Sequence, residues 1–243
     1  MGTESTVTQR GFQPGGQRPC LFVIICQGRC GSTLLVELLN SSEEINVDGE
    51  ILAGGLQQNW PVQNTRLERF VAYPVPLPVR ALGFKAKLSD IVDTHAFRIF
   101  LRTKGFHVVV LTRADLVKQA LSWIYAERLF ERIGEWNLVH GDLQFEPIAV
   151  NCSDLVQRIR ALERGRDALF EFVASCELET TIVRYETLKD SPEAEAKRIA
   201  WALGVTPTKQ LCATVRKHTP DELGDAVANP EEVRACLTAA GYL

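Results

Sequence analysis

The sequence predicts a single α/β domain in which helices cover both faces of a central parallel sheet. Short apolar runs, rich in β-branched residues, recur along the chain, and longer stretches with helical periodicity separate them. Strands that are apolar throughout are typical of parallel sheets that are buried on both faces. The length of 243 residues suits one domain of this class.

The predicted strands and helices alternate along the chain. The strands are expected at residues 21–26, 79–86, 107–112 and 181–185, and the helices at residues 33–40, 90–103, 116–130, 155–175 and 192–203. Pro192 suits the first turn of the last of these helices, and Gly204 suits its C-terminal cap. The proline-rich stretch 60–78 and the polar, irregular stretch 130–153 are expected to be excursions from the sheet, the second of them a loop or lid.

The composition limits the class of protein. Residues 1–19 are polar and rich in glycine and proline, so we expect a disordered tail there and the folded domain over residues 20–243. No apolar run is long enough to cross a bilayer. The seven cysteines form no CxxC pair, which favours a reducing, cytoplasmic location. A net charge of −3 argues against a nucleic-acid binder, so any anion site must be local.

The stretch CLFVIICQGRCGSTLLVELL has the outline of an anion-binding loop between a strand and a helix. Gly28 and Gly31 would let the backbone curl around a phosphate, and Ser32 and Thr33 would add hydroxyl donors near the helix N-terminus. Arg29 puts a cation inside the loop. A nucleotide kinase would carry lysine where Ser32 follows the second glycine. An ordinary glycine turn remains the alternative.

Two later stretches place further polar groups at the same edge of the predicted sheet. In HVVVLTRADLVKQALSWIYAE, a strand leads into Arg113, and the following helix carries Ser122. In TTIVRYETLKD, a strand ends at Arg184 and Tyr185, where an aromatic ring or its hydroxyl could meet a base. Glu186 is expected to be an internal salt-bridge partner. In a parallel sheet, ligands bind at the carboxyl ends of the strands.

Together these stretches resemble a known family. QGRCGSTLLVELL, LTRADLVKQALSW and VRYETLKDSPEAEAKRIAWALGV, in this order, are similar to motifs of the sulfotransferases that use 3'-phosphoadenosine 5'-phosphosulfate (PAPS). With GFKAKL and RKHTPDELGDAVANPEEVRACLTAAGYL, the resemblance covers most of residues 20–243 and has the character of the bacterial carbohydrate, trehalose sulfotransferase-like type. It implies a P-loop NTPase-like sulfotransferase fold. It also implies sulfuryl transfer from PAPS to a hydroxyl of a sugar, glycolipid or other small molecule, with 3',5'-ADP (PAP) as product.

The resemblance also implies which residues bind the donor. They are Arg29, Cys30, Gly31, Ser32 and Thr33 around the 5'-phosphosulfate, Arg113, Ser122, Arg216 and Lys217 around the 3'-phosphate, and Tyr185 at the adenine.

Three residues are expected to act in catalysis. Arg29 and Lys85, in GFKAKL, would stabilise the leaving phosphate, since such displacements are catalysed mainly by positioning and electrostatics. The resemblance places a base shortly after the loop helix, at Glu50, with Asp48 as the alternative. Lys87 is expected to be solvated. No cluster with metal-ligand spacing is present in the sequence, so no metal is expected.

Two other functions remain open from the sequence. A P-loop kinase or NTPase would turn over magnesium and ATP, although the loop lysine is missing. A non-catalytic module of the same fold would hold nucleotide without transfer. The acceptor would be bound by loops, expected at residues 52–78 and 130–153, and loop chemistry does not transfer between relatives. A homodimer is compatible with the sequence.

Overall fold

The structure is a computed structural model that describes residues 18–54, 59–134, 136, 146–215, 220 and 222–243. Of the expected disordered tail at residues 1–19, all but Arg18 and Pro19 lie outside the described residues.

A parallel sheet forms the centre of the fold, as predicted, and it has five strands. Its strands are β1 (Cys20–Cys26), β2 (Ile45–Asp48), β3 (Ala81–Lys87), β4 (His107–Thr112) and β5 (Thr180–Arg184). They are arranged in the order β2-β3-β1-β4-β5, and every pairing is parallel. The edge strand β2 was not predicted, because four residues with alternating burial give too short an apolar run.

Helices flank the sheet. They are α1 (Ser32–Asn40), α2 (Trp60–Ala72), α3 (Thr94–Lys104), α4 (Leu116–Ile133), α5 (Cys152–Cys176), α6 (Tyr185–Asp190), α7 (Pro192–Ala202), α8 (Leu223–Ala226) and α9 (Pro230–Ala239). Along β1, Phe22 and Ile24 pack with α1 and α7, whereas Val23 and Ile25 pack with α2, α3 and α5. The sheet is therefore covered on both faces, and a further apolar cluster joins α4, α5 and α9.

The prediction of a proline-rich excursion at residues 60–78 is wrong over its first part, which is helix α2. The side chain of Asn59 accepts a hydrogen bond from the Val62 amide and so caps this helix. Pro61 lies in the first turn, where its missing N–H is not needed. Leu67 and Phe70 then bury one face against the sheet.

The register of the strands brings the predicted site residues to one edge. Cys26, at the end of β1 and next to the glycine loop, lies opposite Lys87 on β3 and Leu111 on β4. Thr112, the last residue of β4, lies opposite Arg184 on β5. The residues that follow these strands therefore converge on the N-terminus of α1.

Candidate active site

Side-chain donors, one from the loop itself and two from outside it, hold the carbonyl groups of the glycine loop. The Gln27 carbonyl accepts from the Cys30 thiol at 2.9 Å, the Gly28 carbonyl from Gln119 Nε2 at 2.7 Å and the Arg29 carbonyl from Arg113 Nη1 at 3.2 Å. In a trans peptide the N–H points opposite to the C=O. The backbone amides of Gly28, Arg29 and Cys30 therefore point away from the donors that bind these carbonyls. Successive backbone amides left unbound in this way can form a nest, a concave site that binds anions. Cys30 is fully buried, so its thiol is not exposed to solvent.

Two glycines of the loop lie against aromatic rings. Gly31, the N-cap of α1, has φ 88°, and a Cβ there would lie 2.4 Å from Cδ2 of Tyr185. At Gly28, a Cβ would lie 2.5 Å from Cζ3 of Trp123. Both positions therefore require glycine for reasons of space, and Gly31 also for its positive φ.

Arg29 connects the loop with α4. Its Nε donates to Ser122 Oγ at 3.2 Å, and its Nη1 donates to the Trp136 carbonyl at 3.1 Å. Burial lowers the pKa of the Arg29 guanidinium, and the positive charge of Arg113 lowers it further. The two positive charges therefore repel each other at a partly buried site. They create a positive electrostatic potential there, although the net charge of the protein is negative.

Arg113 follows β4 and is only 6% exposed. Its guanidinium carbon lies 4.5 Å from the centre of the Tyr185 ring, which is within the range of a cation–π contact. Its Nε is buried and has no hydrogen-bond partner among the described residues. A buried, unpaired donor on a charged side chain is costly unless a ligand or water satisfies it.

Glu186 fixes the turn after Arg113. Its Oε1 accepts hydrogen bonds from the backbone amides of Ala114 at 3.0 Å and Asp115 at 3.3 Å. The expected salt bridge of Glu186 is thus replaced by bonds to backbone N–H groups. The carboxylate holds the start of α4 in place relative to β5 and α6.

Glu50 follows β2, and its carboxylate lies between two lysines of the neighbouring strand β3. Its Oε1 is 3.0 Å from Lys85 Nζ, and its Oε2 is 2.8 Å from Lys87 Nζ. Lys87 also lies 3.7 Å from Asp90, so the expectation that Lys87 is merely solvated is wrong. We call Glu50, Lys85, Lys87 and Asp90 the carboxylate–lysine cluster. Asp48, the alternative base, is exposed.

The charges of this cluster shift its pKa values. Burial raises the pKa of Glu50, but hydrogen bonds and charge from Lys87 and Lys85 outweigh it, so the pKa lies below its ordinary value. Burial acts to lower the pKa of Lys87, but the contact with Glu50 outweighs it, and the pKa is raised. Glu50 is therefore a stable carboxylate, and it becomes a stronger base only if a lysine leaves it.

The Cys26 thiol shows that the cluster adjoins the glycine loop. A hydrogen bond with Cys30 lowers its pKa most, and the charge of Lys85 and a hydrogen bond with Ser32 lower it further. One buried side chain thus interacts with both the loop and the lysine.

A cavity of about 620 Å³ adjoins Arg113 on the side of α4 and the C-terminal segment. It is lined by polar residues such as Lys118, Glu163, Arg166 and Tyr242 as well as by apolar ones such as Leu223. Its volume lies within the range of small-molecule pockets.

The structure thus brings most of the predicted site residues to one edge of the sheet. Arg29 contacts both Arg113 and Ser122, and Tyr185 packs on Gly31. Arg216 and Lys217, expected at the 3'-phosphate, lie outside the described residues, as does the central part of the expected lid.

Sequence reasoning missed residues that support the loop. Gln119 binds the Gly28 carbonyl, and Trp123 covers the same glycine. A signal was present, because Ser122 and Trp123 lie three and four residues after Gln119, on the same face of a helix.

Over the described ranges, no helix is both long and apolar enough to cross a membrane. In the same part of the chain, no three His, Cys, Asp or Glu side chains are grouped so that they could hold a metal ion.

No protein-family model and no curated protein matches the sequence. Among solved structures, a sulfotransferase from Alicyclobacillus acidocaldarius is similar, with a TM-score of 0.53 at 14% identity over 92% of this chain and 96% of that one. The sulfotransferase domain of the Synechococcus PCC 7002 olefin synthase has a TM-score of 0.41 at 15% identity, over 93% and 90% of the two chains. Mouse sulfotransferase SULT7A1 complexed with PAP has a TM-score of 0.42 at 12% identity, over 80% and 62%.

The first of these similarities concerns the fold. The chain shares the single-sheet α/β fold of the Alicyclobacillus sulfotransferase over nearly the whole length of both proteins.

Proposed function

We propose that the protein is a PAPS-dependent sulfotransferase that acts on a hydroxyl of a small molecule. The observation that carries the proposal is the pair of mutually repelling arginines, Arg29 and Arg113, at the mouth of a backbone nest. Such a site favours a ligand with several negative charges. The shared fold supports the same class of protein.

The donor would be held by the glycine loop and α4. The amides that follow Gln27, Gly28 and Arg29, with Ser32 and Thr33, would bind the 5'-phosphosulfate at the start of α1. Arg113 and Ser122 would bind the 3'-phosphate, for which the unpaired Nε of Arg113 is a fitting donor. Ser122 could keep its bond with Arg29, because its hydroxyl accepts that bond and still has an O–H to donate to the phosphate. Tyr185 would contact the adenine, and Arg216 and Lys217 would add positive charge.

The carboxylate–lysine cluster would perform the transfer. Lys85 would move from Glu50 to the bridging oxygen of the leaving phosphate, where negative charge develops as the S–O bond breaks. Arg29 would stabilise the same charge. Without Lys85, Glu50 would become a stronger base and take the proton of the acceptor hydroxyl, whose oxygen forms the new bond to sulfur. Lys85 would thus couple departure of the leaving group to activation of the acceptor.

We further propose a sugar or glycolipid as the acceptor. Phe130 and Trp136 stack at 4.7 Å between ring centres, and both rings are more than 40% exposed. The Trp136 carbonyl accepts from Arg29, so this aromatic pair lies near the loop that would carry the sulfuryl group. Aromatic faces next to a hydroxyl-transfer site suit the flat face of a sugar ring.

A cytoplasmic location and a homodimer stay predictions. All seven cysteines are free thiols, which fits a reducing compartment.

Calorimetric titration with 3',5'-ADP tests donor binding. Wild type should bind, and Arg113→Ala should weaken binding roughly 10- to 100-fold, because a charge-assisted hydrogen bond contributes about 1.5–3 kcal/mol. Arg102→Ala, which removes a surface ion pair with Glu177, is the control and should leave affinity unchanged. Absence of binding by wild type would refute the proposal.

A screen of hydroxyl acceptors with radiolabelled PAPS tests transfer. Glu50→Gln and Lys85→Ala should lose turnover and keep affinity for 3',5'-ADP. A non-catalytic module would show binding without transfer for wild type as well. A kinase or NTPase would instead turn over ATP with magnesium.

A further inference from the structure

Gln63 on α2 is a fully buried side-chain amide that joins two segments of the chain. Its Nε2 donates to the Leu52 carbonyl at 3.3 Å and to the Asp90 carbonyl at 2.6 Å. Its Oε1 accepts from the Val92 amide at 3.1 Å. The side chain is 0% exposed. Three hydrogen bonds therefore satisfy a polar group that would otherwise be costly to bury.

The two segments that Gln63 joins carry the two carboxylates of the carboxylate–lysine cluster, whose lysines lie on β3. Leu52 lies two residues after Glu50, in the loop that follows β2. Asp90 is the second ion-pair partner of Lys87, in the turn after β3. The pairing of β2 with β3 ends at Asp48 and Phe84, and one further backbone bond follows it, from the Lys85 amide to the Gly49 carbonyl at 3.3 Å. Beyond that bond, Gln63 ties the loop that carries Glu50 to the turn that carries Asp90.

Arg66, one helical turn after Gln63, binds the same loop from the surface. Its Nη1 donates to the carbonyls of Ile51 at 3.3 Å and Ala53 at 3.2 Å. Two side chains of α2 thus bind the loop that follows Glu50, Gln63 from the buried side and Arg66 from the surface. Of these two side chains, Gln63 also binds the turn that contains Asp90, so it holds the Glu50 loop in place relative to that turn.

We propose that Gln63 is a positioning residue that sets the Glu50 carboxylate against Lys85 and Lys87, and so determines the efficiency of proton removal from the acceptor. This inference rests on the proposed sulfuryl transfer. A buried amide is needed because a hydrophobic side chain of the same size would fill the space without joining the two loops. A displacement of Glu50 by about 1 Å would be enough to lower the rate strongly.

The first test is Gln63→Leu, which keeps the approximate size of the side chain and removes its hydrogen bonds. We expect kcat to fall about 10- to 100-fold, with the affinity for 3',5'-ADP unchanged. The matched control is Asn229→Leu. Asn229 likewise holds a distant backbone group, Val150, through two bonds of 3.0 Å, but it lies away from the cluster. Asn229→Leu should keep kcat.

A second variant, Gln63→Glu, covers the case in which Gln63→Leu fails to fold. A neutral carboxylic acid can donate to the Asp90 carbonyl and accept from the Val92 amide, whereas an ionised one cannot donate. Burial favours the neutral form at low pH, and Glu50 stays ionised there because its own pKa is lowered. The kcat of Gln63→Glu should therefore recover relative to wild type as the pH falls. A constant ratio across pH would contradict the proposal.

Hydrogen exchange provides a readout that does not depend on activity. In Gln63→Leu, exchange should accelerate at residues 50–54 and 88–92 and stay slow in the strands, and in Asn229→Leu these segments should keep their protection. If wild type transfers no sulfuryl group, the proposed function fails, while exchange still decides whether Gln63 holds the two loops. If wild type is active and Gln63→Leu keeps the kcat and exchange rates of Asn229→Leu, the positioning role is overturned.

Discussion

Gly31 combines a left-handed backbone with a close aromatic neighbour. Its φ of 88° would strain any other residue, and the ring of Tyr185 occupies the space of a Cβ. Tyr185 in turn supports the guanidinium of Arg113. A side chain at position 31 would therefore displace the ring and the arginine behind it.

Gly31→Ala should both destabilise the protein and weaken 3',5'-ADP binding. Gly105→Ala is the matched control, because Gly105 has φ 71° but nothing within 4 Å of a Cβ. The control should cost about 1–2 kcal/mol for the left-handed backbone alone, and Gly31→Ala should cost more. Urea unfolding and calorimetric titration measure the two effects. Equal stability losses, with nucleotide affinity intact in both variants, would exclude this role for the contact.

Glu50 should make the free energy of unfolding depend on pH in the acid range. Its folded pKa lies below the ordinary 4.5, so its contacts with the lysines stabilise the fold above pH 4.5. This contribution is lost as the pH falls through the lower, folded pKa. The difference in stability between wild type and Glu50→Gln should therefore shrink in acid.

Urea unfolding of both proteins between neutral pH and the acid range measures this difference. Glu231→Gln is the control, because Glu231 forms an ion pair with Arg234 at an exposed position and should contribute little at any pH. A constant difference between wild type and Glu50→Gln throughout would contradict the geometry of the cluster.

Among the secondary-structure elements, helix α2 lies in a proline-rich stretch for which a loop was predicted. Proline suggests a loop by composition, yet Pro61 follows the capping residue Asn59, where proline favours a helix start. The buried positions 63, 67 and 70 of α2 have the spacing of one helix face. That face covers the sheet and also supplies Gln63.

Leu67→Ala should destabilise the protein by about 2–5 kcal/mol, the range for truncating a fully buried leucine. Val62→Ala in the same helix is the control, since Val62 is 41% exposed, and it should change stability by less than about 1 kcal/mol. Urea unfolding compares them. Similar small losses for both variants would mean that α2 does not cover the sheet.

At the scale of the whole molecule, one edge of the sheet gathers positive charge in a protein whose net charge is −3. Arg29, Arg113, Lys85 and Lys87 come from three parts of the chain, and the carboxylates of Glu50 and Asp90 pair with the two lysines. Parallel strands carry them to the same edge because all the strand ends of one polarity lie together. An anion bound there would link the glycine loop to α4.

Saturating 3',5'-ADP should therefore stabilise the whole fold. At about 100 times Kd, a ligand that binds the folded state adds about 2.7 kcal/mol, or a rise in Tm of roughly 5–10 °C for a chain of this size. At the same concentration, 5'-AMP, which lacks the 3'-phosphate, should raise Tm less, and Arg113→Ala should abolish this difference. Thermal scans measure the shifts. Equal shifts for the two nucleotides with wild type would exclude recognition of the 3'-phosphate.

The parallel α/β class, four of the five strands and the glycine loop could be predicted from the amino-acid sequence alone. These features depend on local physical properties, namely apolar runs, helical periodicity and glycine at a strand-to-helix turn. Three contacts required the folded structure: Arg29 with Ser122, Glu50 with Lys85 and Lys87, and Gln63 with the loops that carry Glu50 and Asp90. Such contacts depend on the register of β3 against β1 and on the packing of α2 and α4, which bring together residues far apart in the chain.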